Sequence, residues 1–241
     1  MKLKELQNRY SGRMGFVLGA GPSLYDLDVD LIKEHICISV NSGIVKYPEC
    51  DAFVSDDLDI MSWSYFNIIK KSSCVKFFYE DKFQNECDDL KNVVLYSKRW
   101  WFSPEDKTYN FDGLRLTKEE PMIGGRSSMS SAINILYIMG CNPIVLLGND
   151  CKIKDDKRYF WQYNKKSFQP HRISGYEFNS RNQNRGFNKD SLIKYWNKFA
   201  EVNRKIIGEQ VEIIDCSDSD LRCFTRMHLQ EIIDKYGGKE R

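Results

Sequence analysis

The sequence has little of what a membrane or secreted protein requires. No apolar run approaches the ~18 residues of a membrane span. The opening stretch, MKLKELQNRYSGRMG, lacks the apolar centre of a secretory signal. These absences lead us to expect a cytoplasmic protein. None of the eight cysteines falls in a C-x-x-C pair, which removes the commonest zinc-ligand spacing. Several lie inside apolar strand-like runs, as reduced cysteines used as small hydrophobic residues do. Histidine is scarce, with only His35, His171 and His228 to supply imidazole chemistry. Internal repeats and low-complexity tails are also missing.

What is there is an ordinary globular composition, 41% hydrophobic and 29% charged over 241 residues, enough for one substantial core. Net charge is +2, but it is unevenly placed. Residues 151–205 hold 14 Lys and Arg against 5 Asp and Glu, so the remainder is acidic. A basic, aromatic-rich segment suggests an anionic partner, with nucleic acid among the candidates on charge alone. A solvated basic lobe is the plain alternative.

Strand and helix signals alternate along the chain. GFVLGA, ICISVN, CDAFVSDD, CVKFFYE and NVVLYS read as strands; LDVDLIKEH and the region of Met61–Lys71 read as helices. SSMSSAINILYIMG is a helix apolar on both sides, capped by serines, stopped by Gly140 and followed by the strand IVLLG. KDSLIKYWNKFAEVNRKI, VEIIDCS and RMHLQEIIDKY supply a further helix, strand and helix. Short apolar β-branched runs between turns suit a parallel sheet covered on both faces. The fold class expected is α/β, Rossmann-like, mostly parallel with helices on both faces, as a single domain over 1–241. Residues 151–188 are polar and aromatic with few aliphatics, and read as a mobile lid inserted in that domain.

The stretch FVLGAGPSL places Gly19, Gly21, Pro22 and Ser23 directly after the first strand. Glycine permits close backbone approach, and helix N-terminal amides bind anions, so such a turn suits a phosphate. It is neither G-x-G-x-x-G nor a Walker sequence, and a plain strand-to-helix turn is the competing reading. Ligands of doubly wound sheets bind beyond the carboxyl ends of the strands. Polar residues stand at several such ends: Asn41 and Ser42, Asp56 and Asp57, and Asn149 and Asp150 after Gly148. Ser127 and Ser128 open the apolar helix. Adjacent carboxylates at Asp56 and Asp57 would suit Mg2+ bridged to phosphates, or simple solvation and helix capping. Trp100, Trp101, Phe102, Trp161 and Tyr163 offer rings for a base or a sugar, or for packing.

Taken in order, FVLGAGPSL, CISVNSG and GGRSSMSSAINILYIMGCNPIVLLGNDC resemble a superfamily of two groups, the bacterial lipooligosaccharide sialyltransferases and the 6-hydroxymethylpterin diphosphokinase-like proteins. The resemblance covers roughly residues 15–57 and 121–235. Its sialyltransferase side implies a transferase whose cytidine-monophosphate sugar donor lies on Gly19, Gly21, Pro22, Ser23, Asn41, Ser127, Ser128 and Gly148–Asp150. It also implies a lid with two tyrosines that steady the leaving phosphate and a histidine base. Tyr159 matches one tyrosine, Lys152 stands where the other is expected, Arg158 is a cationic neighbour, and His171 is placed to be the base. The diphosphokinase side implies ATP, Mg2+ and a pterin-like acceptor instead. A non-catalytic module that retains the nucleotide pocket is the third reading.

Overall fold

The structure, a computed structural model, describes residues 2–100, 102–103, 108–125, 127–164 and 189–237. The seven apolar runs become strands of one sheet: β1 (Gly15–Leu18), β2 (Ile36–Val40), β3 (Ala52–Ser55), β4 (Val75–Tyr79), β5 (Val93–Tyr96), β10 (Ile144–Leu147) and β11 (Ile213–Asp215). An eighth, the exposed polar pair β12 (Thr225–Arg226), adds to its edge where the sequence pattern starts the last helix at Arg226. Their order is β12-β11-β10-β1-β2-β3-β4-β5, and every neighbouring pair is parallel. From β1 the chain winds outward to β5, then returns to the other side of β1 at β10. The crevice beyond the carboxyl ends of β1 and β10 is therefore the topological switch point, where doubly wound folds bind ligands.

Alternation along each strand feeds two cores. Val17, Ile38 and Val54 face α3 (Ser128–Ile138) and α4 (Lys189–Val202). Phe16, Cys37 and Phe53 face α1 (Phe66–Lys71) and α5 (Leu229–Tyr236). Helices thus cover both faces, and the expected α/β Rossmann-like architecture is observed. Helix α3 carries no charge and is buried from Met129 to Ile138, as a helix apolar all round must be. Gly140, at φ +83°, ends it. All eight cysteines are free thiols, five of them buried. No helix among the described residues is long and apolar enough to cross a membrane.

Three segments differ from expectation. LDVDLIKEH forms only a 3-10 turn at Val29–Leu31, and Met61–Lys71 divides into the end of a 3-10 turn (Leu58–Ser62) and the short α1. Residues between β5 and α3 build small pieces. β6 (Lys98–Trp100) pairs in parallel with β9 (Met122–Gly124), and β7 (Phe102–Ser103) pairs antiparallel with β8 (Thr108–Tyr109). α2 (Glu80–Phe83) follows β4. The expected lid is anchored over its first part. Lys154 and Lys157 close a tight turn with Asp155 and Asp156 at φ +50° and +58°. Phe160 and Trp161 then bury in the α1/α5-side core, and the Phe160 N–H donates to the Ala20 carbonyl at 3.1 Å. Apolar burial of these two rings makes residues up to 164 part of the body. The rest of the proposed lid, with His171, Gly175 and Gly186, lies outside the described residues.

Candidate functional site

Beyond the carboxyl ends of the strands lies a cleft of about 1130 Å3. Gly19, Gly21, Asn41, Asp56, Asp57, Ser127, Ser128, Gly148, Asn149, Asp150, Lys152, Arg158 and Tyr159 all line it. Residues scattered over 140 positions of sequence are brought to one concavity, because each follows a strand or opens a helix on the same edge of the sheet. Pro22, Ser23 and Ser42 do not line it. Pro22 begins a three-residue 3-10 turn, Ser42 is buried, and the Ser23 side chain is engaged elsewhere. Trp101 and His171 lie outside the described residues.

The first turn works differently from a phosphate cradle formed by glycine alone. The Gly19 N–H donates to the Leu147 carbonyl at 2.8 Å and the Gly21 N–H to the Gly148 carbonyl at 2.9 Å. Ser23 donates to Asp150 through its N–H (3.1 Å) and its hydroxyl (2.9 Å). A Cβ at Gly21 would overlap the Asp150 carboxylate and sit 2.7 Å from the Gly148 carbonyl oxygen. The space beside Gly21 is therefore taken by Asp150. Gly148, at φ +68°, turns the chain out of β10 to make this contact. Burial pushes the Asp150 carboxyl up to about 6 against the opposing pull of the Ser23 hydrogen bonds.

A long helix does present its N-terminus to the cleft, and it is α3 rather than the first turn. Ser127 caps it, its hydroxyl accepting from the Met129 N–H at 3.3 Å, and Ser127, Ser128 and Met129 line the cleft. The helix dipole favours an anion there, while the Met129 and Ser130 N–H groups are already bonded to the Ser127 hydroxyl and carbonyl. Two amide side chains add directed polarity: Asn41 Oδ1 and Asn149 Nδ2 are buried without a hydrogen-bond partner. Such atoms are costly unless a ligand satisfies them. Asn41 adopts φ +50°, a conformation asparagine tolerates better than most residues.

Asp56 is held too completely for the expected metal. Its carboxylate accepts from the Tyr96 hydroxyl, from Ser131 Oγ at 2.9 Å, and from Lys98 Nζ at 2.7 Å. Its N–H donates to Ser128 Oγ at 3.1 Å. Asp57 caps the next 3-10 turn by accepting from the Asp59 N–H. The lysine pairing makes Asp56 a poor ligand, so a Mg2+ bridged to substrate phosphates would have to rest on Asp57, which also lines the cleft. Burial lowers the Lys98 pKa, with Asp56 opposing that shift.

Lys152, Arg158 and Tyr159 share one side of the cleft. Lys152 Nζ donates to Asp218 at 2.7 Å, which holds the Asp218 carboxyl below its ordinary range. The Arg158 guanidinium lies 5.1 Å from the Tyr159 ring centre, and that ring stacks on Trp161 at 5.2 Å. Trp161 is therefore a packing residue, and Tyr163 packs on Tyr25. Burial raises the Tyr159 phenol, so it acts as a donor at neutral pH. Sequence reasoning missed Tyr79, Lys82, Lys98 and Tyr109 on the opposite side of the cleft. The strand-end rule that found Asn41 would have found Tyr79 and Lys98, had it been applied to β4 and β5.

No known protein-family profile matches the sequence, and no curated protein matches it. Among solved structures, the MAf glycosyltransferase from Magnetospirillum magneticum AMB-1 matches over 95% of this chain with a TM-score of 0.52 and 12% identity. This chain spans 37% of that protein's length. The sialyltransferase CstII from Campylobacter jejuni, solved with the substrate analogue CMP-3FNeuAc, matches over 84% of this chain and 80% of its own at 13% identity and a TM-score of 0.46. At such identity the first likeness establishes a shared Rossmann-like α/β fold.

Proposed function

We propose that this protein is a transferase that binds a nucleotide-activated sugar and moves the sugar to an acceptor hydroxyl. The observation that carries the reading is a cleft at the switch point. It joins the first turn, the end of β10, two buried amides and the N-terminus of α3. The fold shared with a glycosyltransferase and the ordered sequence motifs support the same reading. The positive end of the α3 dipole, with Lys152, Arg158 and Tyr159, would stabilise charge on the departing phosphate. In the transfer, the acceptor oxygen bonds to the anomeric carbon while the anomeric carbon–phosphate oxygen bond breaks, its electron pair leaving with the nucleotide. The acceptor proton passes to a base, for which His171 is the candidate from sequence.

Diphosphate transfer from ATP has less support, because Asp56 is already paired with Lys98. The test is calorimetric titration with CMP-, UDP- and GDP-sugars and with ATP, followed by an assay for released nucleotide. Binding and turnover of one nucleotide sugar is expected. Mg2+-dependent binding of ATP alone would replace this reading with the diphosphokinase one, and nucleotide binding without turnover would leave a binding module.

A further inference from the structure

Among the described residues, three carboxylates line the cleft: Asp56, Asp57 and Asp150. Two of them are engaged. Asp56 accepts from the Tyr96 hydroxyl, from Ser131 and from Lys98. Asp150 gives one oxygen to the Ser23 N–H and the other to the Ser23 hydroxyl, and is buried. Asp57 differs. Its Oδ1 accepts from the Asp59 N–H at 3.0 Å, while no group among the described residues bonds to its Oδ2. The residue is exposed on the cleft.

Asp57 is nevertheless fixed. It follows β3 and caps the 3-10 turn Leu58–Ser62. Its N–H donates to Ser55 Oγ at 3.1 Å, and the Ser55 hydroxyl donates to the Asp57 carbonyl at 3.3 Å. Ser55 is itself fully buried. Cap and serine together hold one carboxylate oxygen and leave the other presented to a ligand, so little orientational freedom is lost when it is used.

Its place in the cleft suits work on an acceptor. Burial raises the Tyr65 and Tyr159 phenols, and the Asp57 charge adds to both shifts, with Arg158 opposing them at Tyr159. The carboxylate is thus within electrostatic reach of the side that holds Lys152, Arg158 and Tyr159. On its other flank Asp56 holds Lys82 and Lys98. The other groups lining the cleft are poor bases. Among the described residues no histidine lines it, burial pushes the Cys151 thiol up to about 12, and Lys98 is committed to Asp56.

We infer that Asp57 is the general base of the transfer, taking the proton of the acceptor hydroxyl on Oδ2. The inference rests on the transferase reading above, and it moves the role from His171 to a carboxylate in the cleft. As the acceptor oxygen bonds to the anomeric carbon, its proton passes to Oδ2. The electron pair of the anomeric carbon–phosphate oxygen bond leaves with the nucleotide, so the charge lost at Asp57 reappears on the leaving phosphate. A carboxylate is basic enough, because the hydroxyl becomes acidic as its oxygen bonds to carbon. Exposure then lets the proton pass to solvent before the next turnover.

The test uses the full chain, with CMP-N-acetylneuraminate, UDP-glucose and GDP-mannose as donors and water or methyl galactopyranoside as acceptor. Release of free nucleotide is the readout. Asp57→Asn keeps an oxygen to cap Asp59, and a thermal melt confirms that it folds. Its kcat should fall about 100- to 10,000-fold with donor affinity by calorimetry unchanged. The acid limb of the wild-type kcat/KM profile should be missing from the variant, and added formate should restore part of the rate in Asp57→Ala. A purely capping residue would give neither result. Near-wild-type turnover in Asp57→Asn would overturn the assignment. An acid limb removed by His171→Gln but kept in Asp57→Asn would return the role to the histidine. Wild-type turnover lost to a chelator and regained with Mg2+, with weakened donor binding in Asp57→Asn, would make Asp57 a metal ligand and equally overturn it. Failure of the wild type to turn over any donor would instead remove the transferase reading, and this role with it.

Discussion

A single methyl group at position 21 has nowhere to go, because the Asp150 carboxylate and the Gly148 carbonyl already fill the space. Gly21→Ala is therefore expected to cost about 2–3 kcal/mol of stability, as overpacking does when backbone must shift. The measurement is a denaturant midpoint at unchanged slope. A fully stable variant would show that the turn moves freely and that the glycine serves the ligand alone. Asp150 carries its own pH signature. Its folded-state pKa of about 6 stands above the ordinary 3.8, so between those values the folded protein binds the extra proton. Its contribution is most favourable below about pH 4, declines as pH rises through about 6, and is unfavourable above that, by on the order of 3 kcal/mol. Asp150→Asn retains partners for Ser23 and removes the titration. The difference in stability between variant and wild type should grow from pH 4 to pH 7 in the variant's favour. A difference independent of pH would show that Asp150 does not titrate in this range.

At the scale of elements, the sheet was legible because its strands are continuous apolar runs bounded by turn residues. Helix α3 was legible from its serine cap and glycine stop. The stretch from Lys98 to Gly124 was not, and the reason is physical. Its pieces are two to four residues long and carry no periodicity. Bonds from distant amides tie it down. Asn203, buried just past α4, accepts from the Leu116 N–H at 2.7 Å and donates to the Leu114 carbonyl at 2.8 Å. Asn134, inside α3, does the same for Thr117 at 3.2 and 2.9 Å. Neither role can be read from sequence, where an asparagine within or just after a helix looks merely polar. Asn203→Ala leaves the Leu116 N–H and the Leu114 carbonyl without those partners. We expect it to cost about 2–4 kcal/mol in chemical denaturation, given the penalty of each unsatisfied buried group. A cost below about 1 kcal/mol would mean that the segment re-forms its bonds without the amide. The candidate site divides in the same way. Asn41, Asn149 and Ser127 were found because strand ends and helix starts are visible in sequence. The pairing of Lys98 with Asp56, which argues against Asp56 as a metal ligand, depends on the placement of β6 beside β3's end and was not.

Over the whole molecule, the cleft makes folding and ligand binding one equilibrium. A ligand that binds only the folded chain, at a hundred times its dissociation constant, adds about 2.7 kcal/mol to stability. For a chain of 241 residues that corresponds to a rise in Tm of roughly 5–10 °C. Asn149 separates a ligand-directed role from a structural one. Its N–H donates to Ser217 Oγ at 2.8 Å and its Oδ1 accepts from the Cys151 thiol at 3.7 Å, while its buried Nδ2 has no partner. An unsatisfied donor of this kind burdens the free protein and is relieved by a bound acceptor such as a phosphate or base oxygen. Asn149→Ala keeps the backbone bond and deletes the orphaned donor. The free variant should therefore melt close to the wild type, within about 1 kcal/mol, because the lost thiol contact is weak and the desolvation penalty disappears with the amide. With nucleotide present the two should part. Loss of a hydrogen bond to a charged group costs about 1.5–3 kcal/mol, which is roughly a tenfold to hundredfold weaker affinity. At a ligand concentration a hundred times the wild-type dissociation constant, about half of the rise in Tm should vanish for a tenfold loss of affinity and nearly all of it for a hundredfold loss. A series of melts against nucleotide concentration decides the matter. An equal rise in both proteins would place the nucleotide away from Asn149, and a large loss of stability in the free variant would make Asn149 a structural residue whose polar edge owes nothing to a ligand.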